Sequence, residues 1–362
     1  MASIKIRNLS KHYGSGPGAH TALSNVSMDI PQGGFVALLG PSGSGKTTIL
    51  RAIAGLETLD GGSIEIDGVT VSGPQIHMPP EQRRVAVVFQ NHALWPQMTV
   101  ADNVRFPLVV AQKRNADIDR RVQDALANVD LQALAERYPD QLSGGQKQRV
   151  ALARAMVGNP QVILFDEPLA SLDVELRRDM QRLIARSRSP QTSIVYVTHN
   201  QEEALALADR VAVLSEGTIH QLDTPLGLAQ QPSTRMVASF VGGRNILRAR
   251  VLRSDATGTV LLDIAGYAFS ARCGRPPAQA EVWVSIQPGA FARAEGGEGQ
   301  GEGLAMQVDY VFFQGDAYLV EGRCAVGEDA FLTVRLPLAD KPEVGSLCAL
   351  RVVDAWVLPE EA

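Results

Sequence analysis

The chain has 362 residues, of which 45% are hydrophobic and 20% charged, and its formal net charge is −5. This length and balance predict a globular protein of about two domains with enough apolar residues for a core. The acidic balance argues against a broad nucleic-acid surface, and no apolar run reaches the roughly 18 residues that a membrane-spanning helix needs. The three cysteines, Cys273, Cys324 and Cys348, are spaced too widely for a zinc motif or a disulfide framework, so we expect reduced thiols.

The first predicted elements are two strands joined by a glycine-rich turn. Residues 4–9 and 25–30 alternate apolar and polar side chains, as half-buried strands do. Residues 14–18 between them read Gly-Ser-Gly-Pro-Gly, which predicts a flexible turn. Tyr13 stands immediately before this turn, at the end of the first strand.

A phosphate-binding motif follows the next predicted strand. Residues 35–39 form a short apolar run, and residues 48–56 predict a helix. Between them the chain matches the pattern G-x-x-x-x-G-K-[ST] with Gly40, Pro41, Ser42, Gly43, Ser44, Gly45, Lys46 and Thr47. Thr48 follows the motif directly. In such a turn, backbone amides and a helix N-terminus point at one anion, Lys46 reaches the β- and γ-phosphates, and the Thr47 hydroxyl takes a Mg²⁺ position. A Gly/Ser surface loop could match by chance, but the strand–loop–helix context favours a nucleotide site.

The middle of the chain contains a helical insert. Residues 85–89 predict a buried strand that ends at Gln90. From about residue 100, apolar positions 118, 122, 125, 126 and 129 follow helical spacing. Residues 142–146, Leu-Ser-Gly-Gly-Gln, then open another helix, for which Ser143 suits the N-cap, and this helix stops near Gly158.

Two further strands end in polar residues. Residues 162–165 are apolar throughout, as a parallel strand covered on both faces is, and they end at Asp166 and Glu167. A polar helix over about 174–188 leads to the strand 194–197, which is followed by His199. This order predicts an α/β P-loop domain with its ligand at the carboxyl ends of the strands.

The sequence changes character near residue 240. Short alternating runs, punctuated by Gly, Pro and Asp, predict an all-β barrel or sandwich: 246–252, 259–264, 281–286, 306–313, 317–321, 331–336 and 348–357. Residues 295–303 are an acidic, glycine-rich segment of low complexity. We therefore predict an α/β domain over 1–240, with a helical subdomain at about 100–158, and a smaller β domain over 241–362.

The ordered motifs resemble the ATPase subunit of an ABC transporter over about residues 3–240. The discriminating feature is the Leu-Ser-Gly-Gly-Gln motif, which follows the P-loop and precedes Asp166 by twenty residues. The resemblance implies a P-loop NTPase fold and a head-to-tail dimer that sandwiches two ATP molecules. It also implies that each copy closes the γ-phosphate side of its partner's site with Ser143, Gly144, Gly145 and Gln146, and touches that site with Asp173 in the loop 171–173.

The same resemblance implies catalytic and binding roles. Glu167 matches the general base, His199 the switch histidine and Gln90 a residue of both the metal site and the catalytic centre. Thr47 and Gln90 match the Mg²⁺ ligands, and Asp166 matches the acid of the metal site that supports these ligands or reaches the metal through a bridging water. Tyr13 matches the aromatic residue that stacks on adenine, although residues 14–18 make the following loop longer than is usual in the family; core packing is the other interpretation of Tyr13.

The tail and the segment after Gln90 resemble those of importers. Residues 91–100 resemble the segment that receives a coupling helix from a membrane subunit, where Trp95 and Met98 suit either core packing or an exposed docking pocket. Residues 240–247, 284–289 and 310–316 resemble an OB-like accessory domain, with Gln287 where the family usually carries arginine.

The resemblance therefore implies an ATP- and Mg²⁺-dependent ATPase that powers solute import. Its expected place is the periphery of the inner (plasma) membrane, on the cytoplasmic face. The implied partners are a second copy or a close paralogue, two permease subunits and, indirectly, an external solute-binding protein, without nucleic acid. The alternative is a soluble ABC-type ATPase acting on nucleic acid or ribosomes, and a weaker one is an exporter ATPase.

Overall fold

The computed structural model describes residues 3–14, 20–111, 115–255, 258–294, 303–324 and 330–360. The predicted turn at 14–18 and the acidic segment at 295–303 lie outside the described residues, except for Gly14 and Gly303. The chain divides into two compact units, Met1–Pro225 and Leu226–Ala362. No helix in the described ranges is both long and apolar enough to cross a lipid bilayer.

The first unit is built on a six-stranded sheet. The first unit also contains a second, five-stranded sheet. The strands of the two sheets, in chain order, are β1 (Ile4–Tyr13), β2 (His20–Ile30), β3 (Phe35–Leu39), β4 (Gly61–Ile66), β5 (Val69–Gly73), β6 (Ile76–His77), β7 (Val85–Val88), β8 (Val162–Asp166), β9 (Ser193–Thr198), β10 (Arg210–Ser215) and β11 (Thr218–Asp223). The six-stranded sheet has the order β11-β10-β3-β9-β8-β7, and all of its pairs are parallel except β10–β11. All five residues of β3 are buried, which explains why its sequence is apolar without alternation.

The second sheet of the first unit is antiparallel and shares a core with helix α1 (Lys46–Ala54) and the six-stranded sheet. Its order is β2-β1-β4-β5-β6. Ile4 and Ile6 of β1 share one core with Ile49 of helix α1 (Lys46–Ala54) and with Leu164 and Val195 of the parallel sheet. The alternation seen in residues 4–9 thus marks a strand with one face on this core.

A helical layer carries its own core. It consists of α2 (Val100–Val110), α3 (Asn115–Asn128) and α4 (Gly144–Met156). Apolar side chains at helical spacing meet there, among them Val104, Val122 and Val150. Helices α5 (Val174–Arg186) and α6 (Gln201–Leu207) flank β9 in sequence and complete the first unit.

The second unit is rich in β-structure. After α7 (Pro225–Gln230) and α8 (Arg235–Phe240) come β12 (Asn245–Ser254), β13 (Thr259–Ile264), β14 (Tyr267–Arg272), β15 (Glu281–Ile286), β16 (Phe291–Arg293), β17 (Leu304–Phe313), β18 (Ala317–Cys324), β19 (Phe331–Pro337), β20 (Leu347–Val352) and β21 (Trp356–Val357). Five of them close a barrel, β12-β13-β14-β21-β15, and the other five form a sheet in the order β16-β20-β17-β18-β19. One apolar core, including Val284 and Leu350, is shared by both.

The structure corrects three details of the predicted β elements. Strands β14 and β16 were not predicted, because β14 has small residues at half of its positions and β16 has only three residues. The predicted run 348–357 is two strands, β20 and β21, which belong to different sheets.

The two units divide fifteen residues before the predicted boundary at 240/241. The cause is packing of residues 226–240 on the β-strands: Ala238 of α8 lies in a cluster with Trp356 and Leu358. The Trp356 indole Nε1 also donates to the Pro232 carbonyl at 3.1 Å. The change of composition near residue 240 therefore follows two helices that pack with the β unit.

Candidate nucleotide site

The carboxyl ends of four parallel strands meet at one edge of the six-stranded sheet. Leu39 of β3 pairs with Thr198 of β9, and β8 lies beside β9 with Asp166 opposite Val197. Val88 of β7 pairs with Phe165 in turn. The structure thereby brings the P-loop, His199, the acid pair and Gln90 to the edge at which α/β sheets bind ligands.

The P-loop joins β3 to α1 in a turn that requires glycine. Gly43 and Gly45 have φ values of 79° and 97°, in the left-handed region. A Cβ on Gly45 would lie 2.5 Å from the Ala22 carbonyl oxygen, and one on Gly40 would overlap the Leu214 carbonyl. The glycines of the motif thus allow the backbone to curl against neighbouring strands, with the N-terminus of α1 facing the loop.

Lys46 lies inside this loop and is only 4% exposed. Its Nζ donates to the carbonyl oxygens of Gly40 (2.8 Å) and Pro41 (2.7 Å). Burial lowers the pKa of the Lys46 ammonium, and the charges of Glu167 and Asp166 oppose this shift. The cation is therefore fixed at the centre of the loop and faces the acid pair.

Oxygen atoms of Thr47 and Asp166 lie close together. The Thr47 hydroxyl donates to Asp166 Oδ1 at 3.3 Å. Burial raises the pKa of the Asp166 carboxyl, whereas this hydrogen bond acts in the opposite direction. No group of three or more His, Cys, Asp or Glu residues with metal-binding geometry occurs among the described residues. The expected ligands are instead a hydroxyl, an amide and a carboxylate, the all-oxygen chemistry that Mg²⁺ prefers.

Glu167 and His199 contact each other directly. His199 Nδ1 lies 3.0 Å from Glu167 Oε2, and the two side chains are 59% and 24% exposed. Glu167 has a φ of 45°, which is rare for a residue with a side chain, and its backbone N–H donates to the Val197 carbonyl at 3.0 Å. The strand pairing thus holds Glu167 in an unfavourable backbone conformation, a feature that clusters at functional sites.

The Leu-Ser-Gly-Gly-Gln motif begins α4 and is separate from the P-loop. The Ser143 hydroxyl accepts from the Gln146 N–H, and the Gln146 side chain accepts from the Ser143 N–H, so the two residues form a capping box. No hydrogen bond or ion pair joins residues 143–146 to residues 40–47, all of which the structure describes. Asp173 caps α5 by accepting a hydrogen bond from the Leu176 N–H at 2.9 Å, and it is exposed. The structure therefore leaves both segments outside the chain's own phosphate loop.

Tyr13 lies near the start of α1 and is 39% exposed. Its hydroxyl donates to Glu57 Oε2 at 2.9 Å, and Lys11 Nζ lies 2.8 Å from the other oxygen of Glu57. Burial raises the pKa of the Tyr13 phenol, and a hydrogen bond with the Thr48 side chain opposes the shift. The Tyr13 ring is therefore partly exposed, with Lys11 Nζ over it at 5.3 Å from the ring centroid. Its hydroxyl also reaches Thr48, the residue directly after the P-loop motif.

A groove of about 840 Å³ lies beside the segment after Gln90. The Trp95 ring packs on Phe106 with ring centroids 4.3 Å apart, and the Arg154 guanidinium lies over the Trp95 ring, 5.0 Å from its centroid. Arg154 also donates to the carbonyl oxygens of His92 and Ala93. Trp95 is thus partly in a local core and partly in the groove, and Phe106 and Arg154 are groove residues that the sequence interpretation missed.

Comparison with known proteins identifies the family. Residues 23–170 match the ABC transporter family. The spermidine/putrescine import ATP-binding protein PotA of Nitrosomonas eutropha is 45% identical over 72% of this chain and 70% of its own length. The Fe(3+) ions import ATP-binding protein FbpC of Escherichia coli K12 is 42% identical over 88% of this chain and 86% of its own. The chain belongs to the family of ABC transporter ATP-binding subunits.

Solved structures agree with this assignment. Two dimeric structures of the ATP-binding cassette MJ0796, one in a post-hydrolysis state with ADP and Pi, match at 32% identity with TM-scores of 0.55 and 0.56. Each covers 61% of this chain and 98% of the cassette. The predicted fold class, a P-loop ATPase domain followed by a β-rich domain, is confirmed. The ATPase subunit binds and hydrolyses ATP to power import, and the relatives do not support the nucleic-acid or ribosome alternative.

Proposed function

We propose that two copies of this subunit bind two ATP molecules between them and drive import by closing on ATP and opening after hydrolysis. The observation that carries the proposal is the geometry of the sheet edge. Amide, acid and histidine side chains follow the ends of β7, β8 and β9, at the same sheet edge as the P-loop. Ser143 and Gly144 of the signature motif are exposed elsewhere on the same unit. Each half-site would therefore be completed by the other copy.

The P-loop and Tyr13 hold the nucleotide. The loop amides and the N-terminus of α1 bind the phosphates, and Lys46 neutralises the β- and γ-phosphates once it exchanges the Gly40 and Pro41 carbonyls for phosphate oxygens. Thr48 adds a hydroxyl at the first turn of α1. Tyr13 stacks the exposed part of its ring on adenine, and Glu57 fixes the ring through the phenol hydroxyl.

Thr47, Gln90 and Asp166 would hold Mg²⁺. Thr47 and Asp166 already share a 3.3 Å contact, and Gln90 is exposed at the end of the neighbouring strand. When bound, the ion supplies charge stabilisation to the phosphate oxygens. The pKa of Asp166 is raised because its carboxyl group is partly buried, and a bound cation would stabilise the charged form.

Glu167 is the general base that takes a proton from the attacking water. His199 orients the water and contacts the γ-phosphate through the ring nitrogen that does not face Glu167. The fixed backbone of Glu167 keeps its carboxylate in place, which general-base catalysis requires.

The N-terminal end of α4 would contact the nucleotide bound to the partner copy. Ser143 and the amides of Gly144 and Gly145 would bind the partner's γ-phosphate, helped by the positive end of the helix dipole, while Gln146 fixes Ser143. Asp173 places the loop 171–173 at the same interface. Loss of the γ-phosphate removes these contacts and allows the dimer to open.

The groove beside Trp95 is the docking place for a coupling helix of a permease subunit. Its lining contains the apolar residues Trp95, Phe106 and Val110 together with the charged residues Glu81 and Arg84. This contact places the subunit at the cytoplasmic face of the inner membrane, beneath two permeases that receive solute from an external binding protein. Because the subunit acts on ATP, the choice of solute, polyamine or ferric iron in the relatives named above, lies with these partners.

The test is ATP turnover by Glu167→Gln. We expect kcat to fall about 10²- to 10⁴-fold, as for loss of a general base, with ATP affinity retained. Glu216→Gln is the matched control, because Glu216 is also a glutamate with positive φ (49°) but lies in the exposed turn between β10 and β11. Turnover of Glu167→Gln at the rate of this control would overturn the assignment.

A further inference from the structure

Glu203 of α6 is a buried side chain that contacts Thr198, the residue before His199. It is 3% exposed, and its Oε2 accepts hydrogen bonds from the Tyr196 and Thr198 hydroxyls, each at 2.9 Å. Burial and the neighbouring Glu203 raise the pKa of Tyr196 well above its usual value, so the phenol stays protonated and donates. A buried charge is costly unless it is paired, which makes these partners essential to the position of Glu203.

These contacts fix the chain on both sides of His199. Thr198, which precedes it, donates to Glu203 and accepts from the Asn200 N–H at 3.0 Å. Asn200, which follows it, caps α6 by accepting from Glu202 N–H at 2.9 Å. The backbone position of His199 therefore depends on where Glu203 lies.

Arg177 of α5 reaches Glu203 from the other direction. Its Nη2 donates to the Leu172 carbonyl at 2.9 Å, within the loop that carries Asp173. Its Nε lies 3.7 Å from Glu203 Oε1 and has no hydrogen-bond partner among the described residues, although it is buried. A closer approach of about 0.7 Å would turn this ion pair into a hydrogen bond.

We infer that Arg177 and Glu203 form a link through which the partner-facing loop 171–173 positions His199. Leu172, Arg177, Glu203, Thr198 and His199 lie along one chain of contacts or covalent neighbours. The unmade Arg177–Glu203 hydrogen bond is the element that a movement of the loop would close. Both residues are positioning residues, and the inference rests on the proposed dimer and on the proposed role of His199.

The test uses the full-length chain and steady-state ATPase kinetics. Glu203→Gln keeps the shape and an oxygen for the two hydroxyls but removes the charge opposite Arg177, and Arg177→Met removes the guanidinium. We expect each variant to lower kcat about tenfold and to leave KM for ATP within about twofold, because nucleotide binding is untouched while the geometry of the reacting groups is altered. Arg182→Met, on the same helix but in an exposed pair with Asp179, is the matched control and keeps the wild-type kcat.

A purely structural role is separated by a double-mutant cycle with His199→Ala. If Glu203 acts through His199, Glu203→Gln adds no further loss of kcat to His199→Ala. Wild-type kcat in either Glu203→Gln or Arg177→Met overturns the link, and so does a full additional loss of kcat when Glu203→Gln is added to His199→Ala. Urea denaturation gives the fraction of Arg177→Met that is folded under the assay conditions. If the loss of kcat in this variant is explained by a loss of folded protein, the link is also overturned. Wild-type turnover of His199→Ala would instead overturn the proposed role of His199, and the link with it.

Discussion

Adding a single methyl group at Gly144 should lower ATP turnover without destabilising the fold. Gly144 is the first residue of α4, and a Cβ built on it meets no atom within 4 Å. Gly144→Ala therefore keeps the fold and raises the free energy of unfolding by about 0.4–1 kcal/mol, because alanine reduces the entropy of the unfolded chain. In the proposed dimer, however, this open space holds the partner's γ-phosphate. Displacing it from two amide donors, at about 1.5 kcal/mol or more each, costs about 3 kcal/mol, or over a hundredfold in kcat.

At the next residue, Gly145, a methyl group should have the opposite effect on the free energy of unfolding. A Cβ on Gly145 would lie 2.7 Å from Leu176 Cδ1, so Gly145→Ala overpacks the contact between α4 and α5 and lowers the free energy of unfolding by about 1–3 kcal/mol. Urea denaturation and ATP turnover are measured for both variants. Gly289→Ala, which also adds a methyl group in open space, is the control with unchanged turnover. Wild-type turnover by Gly144→Ala would refute the placement of the signature motif at the phosphate.

Three further outcomes are expected. Tyr13→Ala raises KM for ATP by about 5- to 150-fold with little change in kcat, the equivalent of about 1–3 kcal/mol of stacking, and an unchanged KM would remove Tyr13 from the adenine site. Chelation of Mg²⁺ by EDTA stops turnover but preserves nucleotide binding to the P-loop, as measured with a fluorescent ATP analogue; turnover in EDTA would contradict the assigned metal. Burial raises the pKa of the Cys273 and Cys348 thiols, so the reactive thiolates are scarcer than in a free thiol at pH 8. Iodoacetamide should therefore label the native protein slowly, faster as pH rises, and at once in urea; rapid labelling of both residues in the native protein at pH 8 would contradict their burial.

The sheet edge that carries the candidate site could be predicted because it is encoded locally. A fully buried parallel strand needs an unbroken apolar run, and the polar residues that end such a run must come out at the sheet edge. Residues 35–39 and 162–165 satisfy this rule, so the positions of Lys46, Asp166 and Glu167 follow from short segments of sequence. The assignment of roles to them came from the family resemblance.

Contacts between distant segments could not be predicted in this way. Arg83 and Arg84 are adjacent, yet Arg84 is exposed while Arg83 is 3% exposed and donates to the end of α1 and to β5. Burial lowers the pKa of Arg83 to about 10. Nothing in the local pattern distinguishes the two arginines, because the acceptors come from segments up to thirty-one residues away. The same is true of the pairing between Arg177 and Glu203.

The most direct measurement of the central claim is the mass of Glu167→Gln in solution, determined by light scattering with and without MgATP. We predict a monomer of about 39 kDa without nucleotide or with MgADP, and a dimer of twice that mass with saturating MgATP. Adding Gly144→Ala to this variant should prevent the dimer. A Glu167→Gln protein that binds MgATP and stays monomeric would contradict the proposal that two copies share their ATP sites.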